Sequence, residues 1–246
     1  MKYTFDVAFL PCEALKKHDA RIVVDLLRAT TQITTFFDMG GEVLVPVTEV
    51  DEAFAMKEKL GEDWKIMGER GGLPAPGFDF GNSPLELQAA GAPEHAIITT
   101  SNGTRAIMRA VKDCAHVIAG CARNAEAAAW DALCAGPSVG IICAGRNGEF
   151  SLEDTICAGM LVEKLLALAP SNGAESMELT DGAMAAMSLW QSMGPDITAV
   201  CQASTHGKIL SGLGFDNDLF FCGEVDASST VPVVKEISGV PAIVGR

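Results

Sequence analysis

The residues best suited to chemistry in this 246-residue chain fall in four short segments, each setting a charged group among small or hydroxyl residues. They are Asp25-Leu-Leu-Arg28-Ala-Thr30-Thr31, Gly68-Glu69-Arg70-Gly71-Gly72, Thr100-Ser101-Asn102-Gly103-Thr104-Arg105 and Ala144-Gly145-Arg146-Asn147-Gly148-Glu149. The chain has eight arginines, and Arg28, Arg70, Arg105 and Arg146 all lie in these segments. A guanidinium is a rigid fork of N–H donors matched to phosphate and carboxylate oxygens. The pattern therefore points to a small, multiply charged anion. It runs against the overall balance of 18 basic and 32 acidic residues, a net charge of −14. That balance disfavours nucleic acid and anionic membrane as partners, because no basic tract offsets it.

Ser101-Asn102-Gly103-Thr104-Arg105 reads as a phosphate cradle: glycine allows close backbone approach, and a following helix supplies free N–H groups. The same residues would also serve as a plain helix cap. Asp25 to Thr31 repeats the design, and a structural Asp–Arg pair with a threonine cap is the competing reading there. Residues 68–83 form a long aperiodic stretch rich in Gly and Pro, with Phe78 and Phe80 between its charges. Loops of that length in compact domains are usually functional or disordered, and the aromatics argue against disorder. Glu69 and Asp79 offer hard oxygen ligands of the kind Mg2+ takes. Ser151-Leu-Glu153-Asp154 fits a capping box, and its two acids could equally hold a metal or orient an arginine.

The eight cysteines contain no C-x-x-C pair and mostly sit in apolar stretches, so packed reduced thiols are expected, Cys143 included. His206-Gly207-Lys208 reads either as an exposed loop or as a phosphate contact. No G-x-x-x-x-G-K-[ST] segment is present, which disfavours nucleotide hydrolysis. The D-x-D start of aspartyl-phosphate phosphatases is also missing, since Asp25 is followed by Leu26 and Leu27.

These segments need a scaffold that gathers them. Short β-branched runs alternate with helical patterns. Strands are expected at 20–24, 42–47, 64–67, 95–100, 115–119 and 138–143, and helices at 31–39, 50–60, 84–90, 104–111, 124–135 and 152–168. Continuous apolar strands suit a parallel sheet covered on both faces, so the predicted fold is an α/β, three-layer α/β/α sandwich with a mostly parallel, mixed sheet. In such sheets ligands bind beyond the carboxyl ends of strands, where the four charged segments fall. The last third predicts helices at 179–193 and 198–210, with strands at 231–237 and 242–244 as antiparallel edges. The chain reads as one unit, with 170–173 as the candidate linker. No stretch is apolar enough to span a membrane and none reads as a leader, so the cytoplasm is the expected location.

Taken in order, the chain resembles the 2-phosphosulfolactate phosphatase family. The resemblance rests on Val24-Asp-Leu-Leu-Arg-Ala-Thr-Thr31, Gly68-Glu-Arg-Gly-Gly72, Gly77-Phe-Asp-Phe-Gly-Asn-Ser-Pro84, Thr99-Thr-Ser-Asn-Gly-Thr-Arg-Ala106, Gly148-Glu-Phe-Ser-Leu-Glu-Asp154 and Cys157-Ala-Gly159. Across 120–125 the family more often carries a bulkier apolar residue where this chain has Arg123. The resemblance implies a Mg2+-dependent hydrolase that converts 2-phosphosulfolactate to sulfolactate, a step toward coenzyme M. The expected catalytic residues are Asp25, Arg28 and Arg105, and the expected substrate contacts are Thr30, Arg70, Ser101, Asn102, Gly103, Thr104 and Arg146. The expected metal ligands are Asp25, Glu69, Asp79, Glu153 and Asp154. Two other readings stay open: a phosphatase of another small phosphorylated acid, and a non-catalytic anion-binding protein. The expected partner is a small anionic phosphate ester, with a homodimer as the allowed assembly.

Overall fold

The computed structural model describes residues 1–13, 16–193 and 196–246. Ten strands among these residues form one sheet. They are β1 (Lys2–Ala8), β2 (Ala20–Val24), β3 (Val43–Pro46), β4 (Lys65–Gly68), β5 (His95–Thr99), β6 (Val117–Gly120), β7 (Ser138–Cys143), β8 (Ser176–Leu179), β9 (Val233–Ile237) and β10 (Val240–Val244). Their order is β4-β5-β3-β10-β9-β6-β2-β7-β1-β8. The first three strands pair in parallel, as do the last five. The β9–β10 hairpin joins the two blocks through antiparallel pairs to β6 and β3.

Helices cover both faces: α1 (Ala29–Asp38), α2 (Val50–Leu60), α3 (Pro84–Ala90), α4 (Gly103–Ala110), α5 (Ala125–Ala135), α6 (Leu152–Leu168), α7 (Asp181–Met193), α8 (Ile197–Ala203), α9 (Thr205–Gly212) and α10 (Asp216–Cys222). The three-layer α/β/α reading holds. Its physical basis is the two-residue period of strands with both faces apolar. In β2, Ile22 and Val24 enter one core and Val23 another; in β7, Ile141 and Cys143 oppose Ile142. In β4 and β5, Ile66 and Ile97 pack in a third cluster while Met67 and Ile98 face the shared middle core.

That middle core draws strand residues from both blocks, such as Leu44 and Ile98 from one and Val117 and Ile142 from the other. Pairing sense alone would send the strand ends of the two blocks to opposite edges. Adjacent strands twist by about 20–25°, so the five steps from β5 to β2 turn the strand axis by roughly 100–125°. The carboxyl ends of β2 and β7 thereby open toward those of β4 and β5. Helix α1 lies in the middle and is buried along nine of its ten residues. Its threonines tolerate this because their hydroxyls bond backward: Thr34 donates to the Thr30 carbonyl and Thr35 to the Thr31 carbonyl, at 2.9 and 2.8 Å.

The structure departs from the sequence reading in several places. Strands β1 and β8 were not expected, although Tyr3, Phe5 and Val7 carry the strand period. The stretch at 198–210 is two helices, because Ser204 ends α8 and caps α9 by accepting from the Gly207 N–H. Helix α10 was also unforeseen. The two C-terminal strands are antiparallel as expected, but they sit at the centre of the sheet and not at its edges. No helix among the described residues is long and apolar enough to cross a membrane.

Candidate active site

Asp25 follows the last residue of β2, and two groups of α1 hold it in place. Its carboxylate accepts from the Ala29 N–H at 3.1 Å, and its carbonyl accepts from the Thr30 hydroxyl at 2.9 Å. Opposite it, α4 begins at Gly103, where a Cβ would lie 2.4 Å from the Ala29 Cβ and 2.7 Å from Asp25 Oδ2. Only glycine allows the second strand-end helix to come this close. Gly68 ends β4 with φ 134°, and a Cβ there would meet the Thr99 carbonyl oxygen at 1.9 Å. That close approach places the next residue, Glu69, against the 100–103 turn: its carboxylate accepts from the N–H groups of Gly72 and Ser101, both at 2.8 Å.

Between these strand ends lies a cavity of about 80 Å3. Asp25 and Glu69 supply its acids, Arg28, Arg146 and His206 its basic groups, and Asn82, Ser101, Asn102 and Asn147 its neutral polar groups. Leu27, Ile209 and Leu210 close part of the wall. Arg28 is buried and anchored: it donates to Asp218 Oδ2 at 2.6 Å and to the Gly72 carbonyl at 2.7 Å, and it stacks on Phe215 at 4.1 Å. Arg146 is half-buried, and among the described residues no side chain or carbonyl pairs with its guanidinium. His206 sits in the first turn of α9, with Nδ1 3.4 Å from Glu153 Oε1.

The electrostatics follow from this crowding. Burial pushes the Asp25 carboxyl up to about 6, with Glu69 and Glu153 adding to the rise and His206 opposing it. Burial also pushes Glu153 up, but His206 and the N–H and hydroxyl groups around it outweigh burial and hold it below its ordinary value. Asp154 is raised by burial and by the Asp25 and Glu153 charges. Both Asp154 oxygens are occupied, by the N–H groups of Leu26 at 2.9 Å and Gly145 at 3.1 Å, so it ties the β2 loop to the β7 loop from behind the cavity.

Several residues singled out from the sequence lie elsewhere. Of the four arginines, only Arg28 and Arg146 line the cavity. Arg105 projects to the surface, 54% exposed, and pairs with Glu49 at 2.7 Å. Arg70 turns onto the Glu69 and Thr48 carbonyls and the Thr99 hydroxyl. Asp79 is tied to Lys57 Nζ and the Ile66 N–H. Thr30 and Thr104 spend their hydroxyls on local backbone, Thr104 on the Thr100 carbonyl. Arg123 lies outside the lining, stacked on Phe221 and paired with Glu224. Of the five expected metal ligands, Asp25 and Glu69 reach the lining and Glu153 stands behind them through His206. Among the described residues, the one group of three acid or imidazole ligand atoms mutually within 4.8 Å is Glu42, Glu94 and His95, none of which lines the cavity. All eight cysteines are free, and burial pushes the Cys143 thiol well up, away from a nucleophilic role.

Two contributors escaped sequence reasoning, Asn82 in the lining and Asp218 behind Arg28, while His206, read as an exposed loop or a phosphate contact, stands in the lining. Asp218 resides in a helix 193 positions beyond Asp25, and no local motif marks it.

The chain matches the sequence family described as 2-phosphosulpholactate phosphatase over residues 9–237. It is 36% identical to a probable 2-phosphosulfolactate phosphatase of Deinococcus radiodurans, covering 91% of each chain. It is 38% identical to the protein so named in Pseudothermotoga lettingae, covering 94% of this chain and 96% of the relative. The Thermus thermophilus protein of that name is 36% identical over the whole of both chains.

Proposed function

The chain belongs to the 2-phosphosulfolactate phosphatase family, whose members are phosphoric monoester hydrolases, and on that premise we propose that it hydrolyses 2-phosphosulfolactate to sulfolactate and phosphate, as in a route to coenzyme M. The observation that carries this reading is the meeting of Asp25 and Glu69 with Arg28, Arg146 and His206 around one small cavity. A substrate bearing phosphate, sulfonate and carboxylate on three carbons needs several cations and few acids in contact with it. Arg146, whose guanidinium has no partner among the described residues, is free to take one anionic group, while Arg28 is held rigidly by Asp218.

Asp25 serves either as a metal ligand or as the general base that takes a proton from the attacking water, its value near 6 being that of the metal-free site. His206, oriented by Glu153, suits proton delivery to the leaving oxygen. The donor chemistry also fits Mg2+: Asp25 and Glu69 present hard carboxylate oxygens, and the crowding that raises Asp25 is relieved by a cation. Asp25 and Glu69 would hold the metal, which when bound supplies charge neutralisation for the phosphoryl oxygens.

The test is phosphate release from 2-phosphosulfolactate, before and after exhaustive chelation and after Mg2+ is restored. We expect loss and recovery, with Arg146→Ala lowering kcat/KM by about 10²–10³-fold. Arg105→Ala is expected to stay within about threefold of the parent, since an exposed pair is worth about 0–1 kcal/mol. Full activity in chelator refutes the metal, and no turnover with any divalent metal refutes the substrate.

A further inference from the structure

Asn82 combines three properties that together set it apart among the lining residues. It is 4% exposed, it lines the cavity, and its Oδ1 is sealed from solvent without a hydrogen-bond partner. No hydrogen bond among the described residues uses its Nδ2 either. Gln32, fully buried on α1, carries a similar deficit but does not line the cavity. A buried amide with no partner costs the folded state free energy, and native structures keep such a group where it meets something else.

The position of Asn82 is not slack. The next residue, Ser83, donates its hydroxyl to Asp218 Oδ1 at 2.8 Å and accepts from the Glu86 N–H at 3.2 Å. Asp218 in turn holds Arg28, so the backbone under Asn82 is fixed to the same carboxylate that fixes the Arg28 guanidinium. Among the described residues no partner takes the amide, and because Oδ1 is its sealed end, Nδ2 is the end left to face the cavity.

We propose that Asn82 is a substrate-contacting residue that donates its Nδ2–H to an oxyanion of the ligand beside Arg28 and Arg146. This rests on the phosphatase reading above for the identity of the ligand, but not for the contact. An amide serves here where a carboxylate would not: the cavity already contains Asp25 and Glu69, and a third acid would repel an anion that carries several charges.

The experiment uses inorganic phosphate as the probe, titrated by calorimetry into the Mg2+-loaded protein, with thermal unfolding of the unliganded protein alongside. Asn82→Ala should weaken phosphate binding about 5–30-fold, and Asn82→Asp at least tenfold more. Unliganded Asn82→Ala should melt at or above the parent temperature, because a structural residue would lower it and an unpartnered amide does not. Parent-like phosphate affinity in Asn82→Ala overturns the proposal. So does parent-like or tighter affinity in Asn82→Asp, which would mark the amide as an acceptor. A markedly lower melting temperature in Asn82→Ala also overturns it, by assigning the residue a structural role. Absence of turnover by the parent protein would remove the activity reading alone, since phosphate affinity in the variants is measured without it.

Discussion

At the scale of single residues, Asp25 shows how position makes chemistry. It is buried directly after a buried strand, and burial with two neighbouring acids lifts its carboxyl from 3.8 to about 6. A raised carboxyl stabilises the fold fully below its unfolded value and loses that contribution as pH rises through the folded value. In the metal-free protein, Asp25 therefore costs stability as pH rises from about 4 through 6, on the order of 3 kcal/mol once ionised. Asp25→Asn removes this dependence. Urea unfolding without metal should find the two proteins equally stable near pH 4 and the variant more stable above pH 7. Parallel pH profiles would refute the assignment.

At the scale of elements, Arg28 and Asp218 join parts of the chain that share no strand pairing. Arg28 opens α1, Asp218 lies on α10, and the pair also holds the Gly72 carbonyl and the Ser83 hydroxyl at the start of α3. Both side chains are buried, so removing one leaves the other as an uncompensated charge. Asp218→Ala should cost about 3–5 kcal/mol of unfolding free energy, the usual cost of breaking a buried pair. The double variant Arg28→Met, Asp218→Leu should recover stability without recovering phosphate release. Recovery of both would show that Arg28 matters to the site only as packing.

At the scale of the whole molecule, the β9–β10 hairpin holds the two parallel blocks in one sheet. Ile243 on β10 is fully buried in the core shared by both blocks, whereas Ile237 at the end of β9 is 41% exposed. Ile243→Ala should destabilise by about 2–5 kcal/mol and Ile237→Ala by a small fraction of that. If the hairpin unites the blocks, denaturant melts of Ile243→Ala followed by two probes, one in each block, will coincide. Separate transitions would mean that each block is stable by itself.

Some of this was written in local sequence. The alternation of apolar strands with helices specified a covered, mostly parallel sheet, because burial on both faces leaves a continuous apolar run. The strand-end placement of Asp25, Glu69, Ser101 and Arg146 followed, because a strand's last residue and its following loop are fixed by adjacency. Tertiary structure decided the rest. Arg105 lies in the first turn of α4 beside the cavity yet reaches Glu49 on the surface, since its direction depends on helix phase and on which element stands opposite. Asn82, His206 and Asp218 arrive from a loop and two helices whose approach no short spacing encodes. The central place of β9 and β10, and the twist that brings two opposed sets of strand ends to one cavity, come from pairings across nearly the whole chain. Short-range periodicity records which face of an element is buried, but not which distant element buries it.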